Sequence, residues 1–349
     1  MKLTAVAAPG HEEVVRVEDA VSGLTGFIAV HSTQLGPAAG GLRMRPYASE
    51  AAALEDALRL SRGMTYKNAA AELPLGGGKA VIMGDPRQQK STDLLAAFGE
   101  AVETLDGRYW TAEDMGMTPE DMAVIGTRTR FVAGLPNGAF ASGDPSPVTA
   151  RGIFNAIRTV ARHRFGAADL TGRRVSVQGL GHVGLHLCTL LHDAGAALTV
   201  ADVAEEAVAE AVARFGADPV TPEAILAAEA DILAPCAIGA ILNEATIPAL
   251  RVQAIAGGAN NQLATPEDAD RLHARGILYA PDFVANGGGI VNVATEILRI
   301  EERADWVVEK LEALDRTMDR ILTRAEQRNV SPHHVAEAIV DETLARKAA

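Results

Sequence analysis

Apolar residues fall along this chain in short runs and amphipathic stripes that follow one another, the pattern of an α/β protein. Residues 13 to 31 carry two apolar runs, Val14, Val15 and Val17, then Phe27 to Val30, on either side of Ser22-Gly23, which predicts two strands about a turn. The glycine-dense stretch 36 to 47 follows and holds Arg43 and Arg45. Ser49 can cap a helix whose apolar face is Ala52, Leu54, Ala57, Leu58 and Leu60, with Lys67 toward its end. Residues 80 to 84 read as a strand closing on the Asp85-Pro86 turn, and 92 to 105 as a second amphipathic helix. Asp114 then falls on a loop beside glycine and aromatic residues.

Around 143 to 152 the pattern changes. Pro145 and Pro147 make a stiff connector, and from Thr149 a helix begins with Ile153, Ala156, Ile157 and Val160 along one side. With 349 residues available for two cores, the boundary is placed here: a first α/β domain over 1–145 and a second over 146–329.

Residues 173 to 203 predict a βαβ unit. Val175 and Val177 mark its strand, Gly179-Leu180-Gly181-His182-Val183-Gly184 the turn, and an apolar stripe to Leu191 the helix; Leu198 to Ala201 form a second strand with Asp202 at its end. A GxGxxG that follows a strand, opens a helix and is trailed by an acidic residue is a strong dinucleotide signal. The first glycine permits the tight turn, the second admits a pyrophosphate, and the third lets helix and strand pack closely. A carboxylate at Asp202 accepts from a ribose 2′-OH and repels a 2′-phosphate, so NAD is the expected cofactor rather than NADP. Further short apolar runs at 230–240, 253–260 and 276–289 read as strands of a buried parallel sheet, with Asn260, Asn261 and Asn286 at their ends. From Val291 on the chain reads as helical, and its last helix starts near Ser331-Pro332.

Composition narrows the class. Apolar residues make up 48% and charged residues 22%, as in an ordinary globular protein. A net charge of -13 disfavours nucleic acid as a partner. Two cysteines give no disulfide framework, the N-terminus does not read as a signal peptide, and no apolar run approaches the roughly 18 residues that span a bilayer. A cytoplasmic protein without a membrane partner is expected, and no metal site is indicated.

The stretch Gly63 to Val81 concentrates the candidate chemistry. It sets Lys67 and Lys79 on either side of an alanine-rich helical turn and three glycines. The lysine after GGG is not a P-loop lysine, because Ala80 stands where Ser or Thr is needed. Lys67 sits among Met64 and three alanines and Lys79 leads into AVIM; apolar surroundings disfavour an ammonium ion, the condition a catalytic amine needs.

From about Gly36 to about Val293 the chain resembles the amino-acid dehydrogenase family of the glutamate, leucine, phenylalanine and valine enzymes. The resemblance rests on GPAAGGLRM, GMTYKNAAAELPLGGGK, TAEDMG, SPVTARG, QGLGHVG, LAPCAIG, GGANNQL and YAPDFVANGGGIVNV. It implies an N-terminal α/β substrate domain and a doubly wound Rossmann domain facing each other across a cleft, with the C-terminal helix (330–349) packed back on the first domain. The implied reaction is reversible NAD-dependent oxidative deamination of an L-amino acid to the 2-oxo acid, ammonia and NADH, by a homo-oligomer. Lys67 matches the lysine that binds the substrate carboxylate, Lys79 the base that activates water, and Asp114 the residue that exchanges a proton with the amino group. Thr149, Cys236, Ala237, Ala259, Asn260 and Asn261 match segments that border the nicotinamide, and Asn261 also the substrate.

Glutamate enzymes carry a lysine before the GG of GGLR and a serine near the last helix, where this chain has Ala39 and Val293. A buried γ-carboxylate without a partner costs several kcal/mol. Ala39, Gly40, Leu42, Ile290 and Val293 are therefore expected to form an apolar substrate pocket. Leucine, valine or isoleucine is the expected substrate and phenylalanine the alternative, since leucine enzymes commonly carry a larger residue at Ala39. From another class, an NAD-binding sensor without catalysis fits the fold but gives no reason to keep Lys67, Lys79 and Asp114 together.

Overall fold

The computed structural model describes residues 1–348, which cluster into two compact units divided at Asp144/Pro145. The first unit is built on β1 (Lys2–Ala5), β2 (Glu13–Asp19), β3 (Leu24–Ser32), β4 (Ala38–Arg45), α1 (Glu50–Ala70), β5 (Gly76–Met83), α2 (Thr92–Glu103), β6 (Tyr109–Glu113) and α3 (Pro119–Gly126). Its six-stranded sheet runs β1-β2-β3-β5-β4-β6, antiparallel as far as β5 and parallel beyond. Alternation along the strands sorts the two faces. Val15, Ile28, Leu42, Ala80 and Ile82 bury against Leu94 and Phe98 of α2 and Met122 and Ile125 of α3. Val14, Phe27 and Val81 bury on the opposite face against Ala53 and Ala57 of α1. The cap of α1 is as expected, with the Ser49 hydroxyl accepting from the Ala52 N–H.

Two strands extend beyond the apolar runs. Residues 38 to 45 of the glycine-dense stretch are β4, and β5 begins at Gly76 rather than at Ala80. Glycine hides the alternation there, because the sheet is too crowded for side chains. A Cβ on Gly77 would lie 2.1 Å from the Thr65 nitrogen of α1, and one on Gly40 would lie 1.8 Å from the Gly78 carbonyl oxygen.

The second unit is built on α4 (Ser146–Phe165), β7 (Arg174–Gln178), α5 (His182–Asp193), β8 (Ala197–Ala201), α6 (Glu205–Phe215), β9 (Asp218–Pro219), β10 (Ile232–Pro235), β11 (Ala254–Ile255), α7 (Glu267–Ala274), β12 (Leu278–Tyr279) and α8 (Asp282–Ala285). Its strands are all parallel in the order β12-β11-β10-β7-β8-β9. Taken from β9, that is the 3-2-1-4-5-6 order of a dinucleotide-binding sheet, with its switch point between β7 and β10. Helix α4 starts at Ser146, three residues before Thr149, since Pro147 is at home in a first helical turn.

The remaining helices are α9 (Gly288–Ile297), α10 (Arg303–Arg328) and α11 (Pro332–Ala348). Residues 290–307 cluster with the first unit, although a second domain over 146–329 would include them; residues 308–342, which hold most of α11, cluster with the second, and 343–348 with the first. Ala349 of the expected last helix lies outside the described residues. Charge anchors the 290–307 segment. The Glu296 carboxylate accepts from the backbone N–H groups of Gly134, Leu135 and Ser142 and from the Ser142 hydroxyl, and Arg303 donates to the Ser142 and Ala141 carbonyls. Glu296→Ala strips the buried Ser142 donors and the half-buried Gly134 and Leu135 N–H groups of their acceptor at once and is expected to cost about 2–4 kcal/mol, read as a lower Tm in thermal melts. An unchanged Tm would remove Glu296 from the account of how 290–307 is held.

Candidate active site

The glycine run of β5 sets up the first cluster. A Cβ on Gly78 would lie 2.6 Å from the ring of Tyr109, whose buried hydroxyl donates to the Gly40 carbonyl. Thr65 lies against Gly77 and the Asn68 side chain donates to the Gly76 carbonyl, so the last turn of α1 is fixed on β5. Lys67, half-buried, stands on that turn, and Lys79, only 6% exposed, on the strand. Asp114 follows the last residue of β6, and the Lys79 ammonium forms an ion pair with its carboxylate. Apolar walls are thus only part of the Lys79 environment; its nearest group is an anion. Arg43 of β4 reaches the same carboxylate oxygen, with Nε 3.4 Å from Oδ2. Burial opposes ionisation of Asp114, but the Lys79 ammonium and then the Arg43 guanidinium outweigh it and hold the carboxyl at about 2.

Of the residues expected to form an apolar pocket, Leu42 faces away from the Lys79–Asp114 cluster. Leu42 is fully buried in the core between the sheet and α2 and α3, on the face away from α1, so it is packing and not a site residue. The reason is strand alternation, which turns Arg43 toward α1 and its neighbour Leu42 the other way. Ala39, fully buried beside Gly77, alternates onto the side of Arg43. Gly40 contributes backbone alone. Ile290 and Val293 stand three residues apart on one face of α9, the first buried and the second half-buried.

In the sequence Arg43 stands out only as one of two arginines in a glycine-dense stretch, and Asp56 only as a helical residue of α1. Asp56 lies among the buried positions of α1, between Ala53 and Ala57. An acid on the apolar stripe of a helix was the available signal.

In the second unit, Gly179 follows β7 with φ of +97°, which an L side chain rarely adopts, and its N–H donates to the Ala201 carbonyl. Gly184 lies directly on that turn, since a Cβ there would meet the Gly179 oxygen at 1.9 Å. Gly181, the N-cap of α5, differs from both: a Cβ there would meet nothing within 4 Å. His182 and Val183 open the helix, the histidine exposed. The Leu180 side chain is buried and its N–H donates to Asp202 Oδ2 at 2.6 Å, so Leu180 fixes the turn and leaves ligand contact to its neighbours. The other oxygen of Asp202 accepts from the Ala204 N–H.

Across the switch point, Cys236 and Ala237 leave β10 beside this turn; Ala237 is exposed, and burial pushes the Cys236 thiol up to about 11. Asn286 donates from its side chain to the Asn260 side chain and the Gly258 carbonyl. Asn260 and Asn261 are exposed, Asn261 with a positive φ of 51°, while Ala259 is buried. The Thr149 hydroxyl donates to the Pro145 carbonyl in the first turn of α4. These residues of the second unit all gather at the carboxyl ends of β7, β8, β10 and β11 or at the start of α4. Their arrangement fits a dinucleotide, since it leaves open the space beside Gly181 where a phosphate approaches and places a carboxylate at the end of β8. Among the described residues no group of three or more His, Cys, Asp or Glu is placed to hold a metal, and no helix is long and apolar enough to cross a membrane.

A dinucleotide-binding parallel sheet joined to an α/β unit that carries a lysine–aspartate pair defines a two-domain oxidoreductase. The comparisons with known proteins say which kind. Residues 11–131 match the dimerisation-domain model of the Glu/Leu/Phe/Val dehydrogenases, and 199–346 the Glutamate/Leucine/Phenylalanine/Valine dehydrogenase model. The leucine dehydrogenase of Geobacillus stearothermophilus is 47% identical over 96% of this chain and 90% of its own length. The phenylalanine dehydrogenase of Caldalkalibacillus thermarum is 43% identical over 97% and 92%. The crystal structure of L-tryptophan dehydrogenase from Nostoc punctiforme superposes with a TM-score of 0.85 at 39% identity, covering 97% of each chain. The chain belongs to the Glu/Leu/Phe/Val dehydrogenase family, a family of pyridine-nucleotide enzymes, and is an amino-acid dehydrogenase.

Proposed function

We propose that the protein catalyses NAD-dependent oxidative deamination of a branched-chain L-amino acid, with leucine first among the candidates. The reaction takes the amino acid, NAD and water to the 2-oxo acid, ammonium, NADH and a proton. The observation that carries the chemistry is the ion pair between buried Lys79, in the middle of β5 beside crowded glycines, and half-buried Asp114, just past the end of β6. Lys67 holds the substrate carboxylate as a fixed cation. Lys79 first gives its proton to solvent, the proton released in the net reaction. Asp114 takes a proton from the substrate ammonium, the neutral Lys79 amine accepts one from the water that attacks the imine, and Asp114 returns its proton to the departing amine. The two groups act in concert, because each proton that leaves Lys79 removes a cation from Asp114 and strengthens it as a base. Asp202, the Gly181 backbone and the first turn of α5 hold NAD, which supplies a hydride acceptor when bound.

Ala39 in place of a lysine argues against a glutamate side chain. Leucine is favoured over phenylalanine by the higher identity of leucine dehydrogenases along nearly the whole chain. Phenylalanine is the second reading because Ala39 is small, and discrimination at the level of a methylene is worth only about 1–3 kcal/mol. The match to a dimerisation domain supports a homo-oligomer, and a cytoplasmic site of action fits NAD chemistry. NADH formation at 340 nm across leucine, valine, isoleucine, phenylalanine and glutamate tests the assignment. The highest kcat/KM is expected with a branched-chain substrate. Glutamate as the best substrate would sink the pocket reading, and no turnover on any of the five with NAD bound would favour the sensor.

Asp202→Ala is expected to weaken NAD by at least about tenfold and to narrow its advantage over NADP. Part of that loss reflects the Leu180 and Ala204 N–H groups, which lose their acceptor. A ratio of kcat/KM for the two cofactors equal to that of the wild type would show that another residue selects between them.

A further inference from the structure

We propose that Arg43 and Asp56 form a positioning relay that sets the charge and orientation of Asp114. The proposal rests on the deamination reading of the Lys79–Asp114 pair. Four charges alternate in a row through the first unit, with Asp114 the most exposed of them: Lys79, Asp114, Arg43, Asp56. Arg43 is only 11% exposed and lies between two carboxylates, with Nε 3.4 Å from Asp114 Oδ2 and Nη1 3.2 Å from Asp56 Oδ2. Asp56, only 6% exposed, is itself over-determined. Its Oδ2 accepts from the Tyr47 hydroxyl at 2.8 Å and its Oδ1 from Arg59 at 3.1 Å, with Arg45 at 4.0 Å. A buried aspartate with this many donors serves to hold something, and the group it holds is Arg43.

The consequence is electrostatic. Without Asp56, the full charge of a poorly hydrated guanidinium would fall on Asp114 and weaken it as a base. Without Arg43, Asp114 would lose one of its two cations and an orienting partner. The pair of carboxylates therefore divides Arg43 between them, and the balance leaves Asp114 ionised but able to work against Lys79. Other groups face this centre. Glu113 adjoins Asp114 and is held above the usual carboxylate range, first by burial and then by Asp144, Glu120 and Asp114. Tyr109, fully buried, also feels Asp114 and keeps its proton, while Tyr47 feels Asp56. None of these carries a positive charge that could replace Arg43.

The relay predicts opposite signs for two substitutions. Arg43→Met removes a cation and favours the protonated form of the Lys79–Asp114 pair, so the acid limb of the kcat/KM profile for leucine moves up by about half to one pH unit. Asp56→Asn removes an anion one residue further along, and the limb moves down. Both lower kcat by about tenfold to 10²-fold through misplacement of Asp114, with NAD affinity by fluorescence titration unchanged. Arg43→Lys, which retains the charge and guards against misfolding of Arg43→Met, is expected to restore the limb and part of kcat. Limbs that move the same way in Arg43→Met and Asp56→Asn, or variants within twofold of the wild type, overturn the relay while the deamination reading stands. A wild type that deaminates no apolar amino acid overturns that reading and the relay with it.

Discussion

Lys79→Ala is expected to lower kcat for leucine by about 10²–10⁴-fold, the range that a general base contributes, while NAD binds as in the wild type. The two outcomes separate because Lys79 lies on β5 of the first unit, whereas the glycine turn and Asp202 are set by β7 and β8 of the second. The substitution acts twice. It removes the group proposed to activate water, and it removes the cation with the stronger of the two pulls on Asp114. Burial is then opposed only by the more distant Arg43 and the Met115 backbone N–H, so the Asp114 carboxyl rises from about 2 toward the ordinary carboxylate range or above. Small primary amines added to Lys79→Ala should recover part of the rate, and the recovery should grow with pH as the free amine accumulates. Turnover within a few-fold of the wild type would remove Lys79 from the mechanism. A parallel loss of NAD affinity would mean that the substitution had damaged more than the site.

How much of this was legible beforehand differs between the units. In the second unit the turn, the helix and Asp202 were all readable, because their chemistry is local: three glycines and a carboxylate act within thirty or so residues of one another along the chain. In the first unit the lysines and Asp114 were readable as candidates, but the pocket around them was not. Leu42 is the instructive case. It sits one residue from Arg43, and in a strand that single step carries a side chain from the α1 face to the α2–α3 core. The strand itself was hidden, since Gly40 and Gly41 interrupt the apolar alternation that marks β4. Asp56 shows in the sequence only as an acid on the buried stripe of α1, and the tertiary approach of Arg43 and Tyr47 is what gives that anomaly a meaning. Position along the chain carried the cofactor motif, whereas the partners of Asp114 depended on pairings that no period encodes.

The glycine turn offers the other large effect, and its three glycines separate folding from binding. Gly184→Ala places a methyl 1.9 Å from the Gly179 carbonyl oxygen, a backbone atom with no freedom to move aside. The helix must shift from the strand, at a cost of about 1–3 kcal/mol, and the turn that presents the phosphate site shifts with it. Gly184→Ala should therefore lower Tm and NAD affinity together. At Gly181 a Cβ would meet nothing within 4 Å, so Gly181→Val starts from open space and costs the fold only the weaker helix cap, less than the Gly184 clash. The same volume is the approach of a pyrophosphate to the N-terminus of α5, and NAD affinity should fall by well over about tenfold with Tm in the absence of cofactor held near the wild-type value. Thermal melts with and without NAD read both quantities at once, because a ligand that binds only the folded state raises Tm. Wild type should gain stability on adding NAD, Gly181→Val should not, and Gly184→Ala should start lower. If Gly181→Val kept the full NAD-induced rise, the pyrophosphate would have to bind elsewhere, and the assignment of this turn would fall even with its strand, helix and carboxylate in place.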